Sequence, residues 1–404
     1  MDKISILKNS VQEYAWGSRT EIQNIIGDPG SLGKPMAELW MGAHPKAPSQ
    51  VMVDGEWLCL DKAIAKDPES ILGKRVAERF SNQLPFLFKV LAAERPLSVQ
   101  VHPNKKQAQQ GVERENLMAI PLDAANRNYK DNNHKPEILC ALKPFHGLIG
   151  FRPIEEILEL LAKLGIPSLA DEITLLTNRP DWHGLRLFFS ALLCMEVSVR
   201  HEAIKQAVTA AEKYRDVEPA FSWIVELYRE YPGDIGVLSP AICNLVRLEP
   251  GEAIYVPAGL PHAYLRGLGI ELMANSDNVL RGGLTPKQVN VNEFLNVVEF
   301  HSGHVRKVEK VSNDVCQFIY KTPAKEFELS LISVDKKCTF TSAMNRSAEV
   351  IICLKGMADI IDIVSGQRLA VSQGISFLVP AIVSRYRIEG CATLYRASVP
   401  DWHL

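Results

Sequence analysis

The chain has 404 residues, 47% of them hydrophobic and 23% charged, with a formal net charge of -2 at pH 7. That length and mix describe two or three folded domains and exclude a disordered polymer. The balanced charge excludes the broad positive field that gathers nucleic acid or an acidic membrane, so any anion must be held by a few local cations.

The expected partner is therefore a small molecule, with no nucleic acid and no membrane involved. Met1-Asp2-Lys3-Ile4-Ser5 runs into polar Lys8-Asn9-Ser10 without the apolar core of a signal segment. No apolar stretch approaches the roughly 20 residues a bilayer requires, and a cytoplasmic location is expected. Eight cysteines (Cys59, Cys140, Cys194, Cys243, Cys316, Cys338, Cys353, Cys391) are scattered without C-x-x-C spacing, which predicts buried free thiols and no disulfide framework. In that compartment the Asn345-Arg346-Ser347 sequon carries no meaning.

In chain order, helical patterning appears first around Leu58 to Arg79. Leu84 to Leu91 then reads as a buried strand, and Leu97-Ser98-Val99-Gln100-Val101-His102 alternates as a half-polar one. Strand side chains repeat every two residues, so Ser98, Gln100 and His102 share a face while Val99 and Val101 enter a core. That polar face must look into something that rewards polarity, such as a cavity holding a cation. A further strand is expected over Glu137 to Leu142.

From Pro153, a residue suited to the first turn of a helix, Ile154, Ile157, Leu158 and Leu161 recur at helical spacing until Gly165 and Pro167 stop them. Similar patterns follow in Leu185 to Met195, His201 to Tyr214 and Phe221 to Tyr231. Residues 152–240 thus read as an all-helical block. Strands resume at Glu252 to Val256 and Ile270 to Met273. From about residue 311, apolar segments alternate with the glycine-bearing turns Lys355-Gly356, Ser365-Gly366 and Gln373-Gly374, which predicts a β-sandwich or jelly roll.

Imidazole nitrogen and carboxylate oxygen suit zinc, and Gln100, His102, Glu137 and His262 form a candidate ligand set. His134 competes with them through His134-x-x-Glu137. Pro136 argues against a helix there, and in an extended segment Lys135 and Glu137 share a face while His134 turns away. A site shared by His102 and His262 requires the helical block to be an insertion into one β-rich domain. Arg281 and Lys287 bracket Gly282-Gly283, where small residues let the backbone approach a ligand and arginine offers a fork for phosphate oxygens.

Tyr14-Ala15-Trp16-Gly17-Ser18, Ala37 to Gly42, Leu84 to Lys89, Gln100-Val101-His102-Pro103, Asn128 to Asp131, His134-Lys135-Pro136-Glu137, Pro261-His262-Ala263-Tyr264 and Asn275 to Arg281 together resemble the type I mannose-6-phosphate isomerases in residues, order and spacing. The resemblance runs through nearly the whole chain, the helical block and the last domain adding little to it. It implies reversible interconversion of mannose 6-phosphate and fructose 6-phosphate with one zinc ion (Zn2+) per chain. The implied fold is mainly β with α: a cupin-type β-barrel catalytic domain (residues 1–151 and 241–310), an all-helical insertion (152–240) and a C-terminal jelly roll (311–404). The family's zinc ligands fall on Gln100, His102, Glu137 and His262 and its catalytic arginine on Arg281. Residues associated with its substrate pocket fall on Trp16, Lys89, Ser98, Lys135, Glu271, Asp277 and Lys287.

An aldose-ketose isomerase moves a proton between adjacent carbons through an enediolate, whose charge Lys135 and Arg281 are expected to stabilise beside the metal. Glu271, Asp277, His134 or a metal-bound hydroxide are the candidate bases. Ser98, Arg281, Lys287 and Lys89 all suit the phosphate, and a monomer is expected. Two other functions share parts of this pattern. An iron-dependent cupin oxygenase is disfavoured by the glutamine ligand and the nearby cations, and a non-catalytic sugar-phosphate binding protein by the presence of Lys135, Glu271 and Arg281.

Overall fold

Phe86–Ala93 is buried along its whole length, which is why its sequence runs apolar on both faces and why it sits inside a sheet. It pairs antiparallel with Glu38–Gly42 on one side and with the second half of His262–Ala274 on the other. The computed structural model that shows this describes residues 2–28, 33–287, 289–344 and 346–400. Asn345 of the sequon lies outside the described residues. Among those residues the strands form one 10-stranded and one 11-stranded sheet assembly, mainly antiparallel, with most helices between residues 152 and 242.

Two faces of the first sheet do different work. Phe88, Val90, Ile138, Cys140, Ile270 and Leu272 join Tyr320, Leu329, Val350 and Ile352 of the C-terminal strands in one hydrophobic core, so the two β units share an apolar seam. The opposite face carries Trp40, Lys89 and Glu271 side by side in adjacent strands, by the registers Trp40↔Lys89 and Lys89↔Glu271. His262–Ala274 serves both ends of this sheet. Its first residues pair with Phe145–Phe151 and Val99–Val101, and its later ones with Phe86–Ala93 and Glu137–Ala141.

The block between the two halves of this sheet is helical. Ile154–Leu164 ends on Gly165 in the left-handed conformation, and Trp182–Leu193, Val197–Tyr214 and Pro219–Glu230 follow near the expected positions. Their core of Ile157, Leu161, Phe188, Ala207 and Ile224 continues into Val99, Val101 and Leu280. The block therefore backs the strands that carry Gln100 and Arg281. Two helices had no apolar stripe strong enough to announce them. Ala170–Asn178 buries only Leu176, and Lys105–Leu117 buries Ala108, Gly111 and Glu115 behind a capping box of Asn104 and Gln107.

One expected turn is not a turn. Glu349–Asp362 runs straight through Lys355-Gly356 as a single strand with a register shift against Tyr386–Ser398. A Cβ at Gly356 would collide with the Cys391 carbonyl, so the glycine permits close strand approach across a bulge. Ser365-Gly366 and Gln373-Gly374 do turn. The cysteines also depart from expectation. Cys316 and Cys338 are joined as a disulfide with Cα atoms 6.0 Å apart, and Cys194 and Cys391 are exposed, whereas Cys140, Cys243 and Cys353 are buried free thiols. Asp335 and Cys338 bridge in a tight loop that brings the two sulfurs together; a separation of 22 residues leaves no motif to read.

At the other terminus, Ser5–Lys8 pairs with Ser376–Val379 on one edge and Gln50–Val53 on the other, so the first strand of the chain completes the last sheet. Close packing also shapes the Arg281 strand, Leu280–Gly283, where a Cβ on Gly282 would strike the fully buried ring of Phe294. Gly282→Ala is expected to lose about 1–3 kcal/mol of stability through overpacking, read as a lower urea midpoint.

Candidate metal and anion site

His102, Glu137 and His262 converge from three strands or their ends, with one ligand atom from each lying within 4.8 Å of the others. His102 follows Val99–Val101, whose two valines anchor it in the helical block's core. Glu137 opens one strand and His262 another. All three are almost completely buried.

The tautomers follow from their partners. His102 Nδ1 lies 2.7 Å from the Asn278 carbonyl and His262 Nδ1 2.9 Å from the Leu260 carbonyl. A carbonyl only accepts, so each Nδ1 carries the proton and donates, leaving each Nε2 as a bare lone pair. These two Nε2 atoms are buried without hydrogen-bond partners and each faces one oxygen of Glu137 at 3.4 Å. Lone pairs pointed at a carboxylate in a dry cavity call for a cation between them, and Nδ1–H···O=C is the usual means of orienting metal-bound histidine. The residues thus fit a divalent ion of the zinc type. Gln100 stands directly opposite His262 in the ladder and opposite Arg281 on its other side, so cross-strand pairing puts all three side chains on one face.

Around the Glu137 carboxylate, Lys135 Nζ approaches Oε1 at 2.8 Å, and the Tyr264 hydroxyl donates to Oε2 at 3.4 Å. Burial opposes the Glu137 charge, but Lys135 and the histidines outweigh it and hold the carboxyl well below its usual range. Burial and the neighbouring Lys135 cation push His102 down to about 4.

Next along the sheet face, Lys89 Nζ contacts Glu271 at 2.8 Å and Glu38 at 3.4 Å, all three buried. Burial works against the Lys89 charge, yet the two carboxylates raise its pKa above the normal lysine range. Glu271 is shifted upward by burial, against the pull of Lys89. Trp40 lies under the Lys89 ammonium at 5.4 Å. Asp277 sits at the rim, held by Lys46 at 3.0 Å and His44 Nε2 at 3.6 Å.

Arg281 is half-buried and, among the described residues, forms no ion pair or hydrogen bond through its guanidinium. Burial lowers its pKa, while Lys287 is lowered first by the Arg281 charge and then by burial. Two neighbouring cations, one on the strand and one on the loop that follows it, suit an anion. Trp16 packs against the cluster of Leu91, Leu139, Phe145 and Tyr264 and stacks on Tyr14 at 5.7 Å, and Ser98 is half-buried beside Val99. His134 turns away from the metal cluster and meets Glu326 of the C-terminal strands at 2.8 Å.

Sequence reasoning did not single out Glu38, His44, Tyr264 or Asn278. Glu38 opens the otherwise uncharged strand Glu38–Gly42, which was a usable signal, whereas Tyr264 sits in a strand of mixed character. Asn278 acts through its main-chain carbonyl, and nothing in a side-chain pattern reports that.

Residues 4–154 match the family model of the phosphomannose isomerase type I catalytic domain. Mannose-6-phosphate isomerase of Escherichia coli (strain K12) is 40% identical over 396 residues, covering 96% of this chain and 98% of that protein. The Homo sapiens mannose-6-phosphate isomerase is 34% identical over 380 residues, 87% of each. A crystal structure of mannose 6-phosphate isomerase from Salmonella typhimurium, bound to substrate and a zinc atom, superposes with a TM-score of 0.90 at 38% identity, covering 98% of this chain and 99% of that one.

With His102 ordinarily near 6.5 when unfolded and about 4 when folded, the unfolded metal-free chain binds the extra proton between those values. Its stability is therefore expected to fall as pH drops from 6.5 to 4, and urea midpoints measured across that range check the sign. Bound zinc is expected to deepen the loss, since protons compete for the same Nε2 atoms.

Proposed function

Since the chain belongs to the mannose-6-phosphate isomerase family, we propose that it is a zinc-dependent aldose-ketose isomerase interconverting mannose 6-phosphate and fructose 6-phosphate. One observation carries the reading: two bare imidazole nitrogens and a buried carboxylate face one another, with an unpaired guanidinium across the adjacent strand. Gln100, His102, Glu137 and His262 would hold the ion. Zinc there supplies a Lewis acid that polarises sugar oxygens and eases the negative charge of an enediolate.

The remaining roles fall to the chain's own groups. Lys135 holds a buried ammonium 2.8 Å from Glu137 Oε1, beside the position of the ion. Arg281 and Lys287 receive the phosphate, with Lys287 at the exposed outer end. Ser98, on the same strand face as Gln100, and Trp16 are assigned to the substrate side. Glu271 is the best-placed proton carrier, because burial lifts its pKa toward the working range and Lys89 fixes its carboxylate. Asp277 is engaged by Lys46 and His44 and His134 by Glu326, which suits both to positioning.

The division into 1–151 with 241–310, 152–240, and 311–404 serves this reading, since the ligands come from both sides of the helical block. We further infer a cytoplasmic monomer. No helix among the described residues is long and apolar enough to cross a membrane, and light scattering is expected to give the mass of one chain.

A coupled assay for fructose 6-phosphate, run before and after chelation, tests the function: activity is expected to vanish with the metal and return with zinc. Glu271→Gln is expected to stop exchange of the C2 hydrogen with solvent while the zinc content stays at one per chain; continued exchange would reassign the base. Lys287→Ala should raise KM for mannose 6-phosphate by roughly tenfold with a smaller effect on kcat, the signature of a lost charged contact to the ground state.

A further inference from the structure

The core of the C-terminal β unit changes character at one end. Ile332, Leu394 and Ile351 face an apolar interior. The same inward face then continues as Gln317, Ser330, Arg396 and Glu349, as the registers Gln317↔Ile332, Ser330↔Arg396 and Arg396↔Ile351 require. All four polar residues are buried. A cavity of about 420 Å3 opens beside them, with Gln317, Phe340, Arg346, Glu349, Arg396 and Ser398 in its walls.

Hydrogen-bond partners at this end leave donors over. Arg396 gives Nη1 to Glu349 at 3.1 Å and Nη2 to Ser330 at 3.2 Å, while its Nε, on the same edge as Nη2, is buried and unpartnered. Ser330 Oγ accepts from Arg396 and from Gln317 Nε2 at 3.3 Å, so its own hydroxyl proton is left to donate. Gln317 Oε1 is occupied by Asn313 at 3.0 Å, which leaves the second amide hydrogen of Gln317 outward. Arg346 spends its Nη atoms on the carbonyls of Ser347 and Pro380 and sits 3.6 Å from the second Glu349 oxygen. The two arginines thus share Glu349, whose second oxygen has no hydrogen-bond partner, and Glu328, 4.0 Å from Arg396, stands in the same cavity wall.

We propose that this cavity is a second ligand site, distinct from the metal centre, that takes a small oxyanion on a polar body of at most hexose-phosphate size. An oxyanion would meet the Nε–Nη2 edge of Arg396 in bidentate fashion and accept from Gln317, both of which stand in the cavity wall. The volume admits a sugar-sized molecule. Phosphate and carboxylate share this chemistry, and the experiment separates them.

Zinc-loaded chain carrying Arg281→Met, which removes the active-site cation, is titrated calorimetrically with inorganic phosphate and separately with gluconate. At least one probe is expected to bind at one equivalent with millimolar or tighter affinity, and the one that binds names the anion class. Arg396→Met is expected to weaken that binding at least about tenfold. Ala343→Trp, an exposed wall residue whose replacement obstructs the cavity without touching the core, is expected to do the same and keeps the test valid if Arg396→Met fails to fold. Both substitutions, placed in the Arg281-intact chain, should leave mannose 6-phosphate turnover unchanged. Absence of binding by either probe, or binding indifferent to Ala343→Trp, overturns the proposal.

Discussion

The burial of charge on one face of a sheet governs this molecule. Glu38, Lys89, Lys135, Glu137 and Glu271 are all sequestered from water within a few strands of each other. Withdrawing such groups from solvent costs several kcal/mol apiece unless each meets a partner of opposite sign at good geometry. The contacts at 2.8 Å from Lys89 to Glu271 and from Lys135 to Glu137 meet that requirement for two pairs. What is left is a pair of proton-free imidazole nitrogens, buried without hydrogen-bond partners against the Glu137 carboxylate, whose lone pairs a bound cation would satisfy. Metal binding thus answers the two lone pairs that the fold leaves without a donor.

Such a face needs rigid support, and each side has it. Behind the metal cluster's sheet, the seam shared with the C-terminal strands fixes Phe88, Val90 and Leu272, whose neighbours along the same strands are the charged residues. Behind Gln100 and Arg281, the helical block packs on Val99, Val101 and Leu280. Period-two alternation converts those apolar anchors into side-chain placement on the opposite face. The insertion, which adds no candidate ligand, still positions the site by holding the backs of two of its strands.

Much of this was legible in the chain. The alternation around Gln100 and His102, the proline that keeps Lys135 and Glu137 extended, and the glycine that stops the first insertion helix each act within a few residues, and local rules suffice there. The rest depends on distant partners. Asn278 fixes the His102 tautomer through a carbonyl, Gly356 bulges because Cys391 passes close by, and Cys316 finds Cys338 through a loop bridge. Helix Lys105–Leu117 was missed for the opposite reason: it lies so lightly on the surface that hydrophobic periodicity never develops.

The pairing of Ser5–Lys8 with Ser376–Val379 joins strands that lie on either side of the metal-site sheet and the helical block in chain order. During synthesis Ser5–Lys8 leaves the ribosome with one edge unsatisfied and must wait until residue 379 has emerged before that edge is closed. Assembly of the sheet that Ser5–Lys8 joins is consequently bound to the arrival of residues 376–379, and a product terminated before them would display an open β-edge to chaperones and proteases.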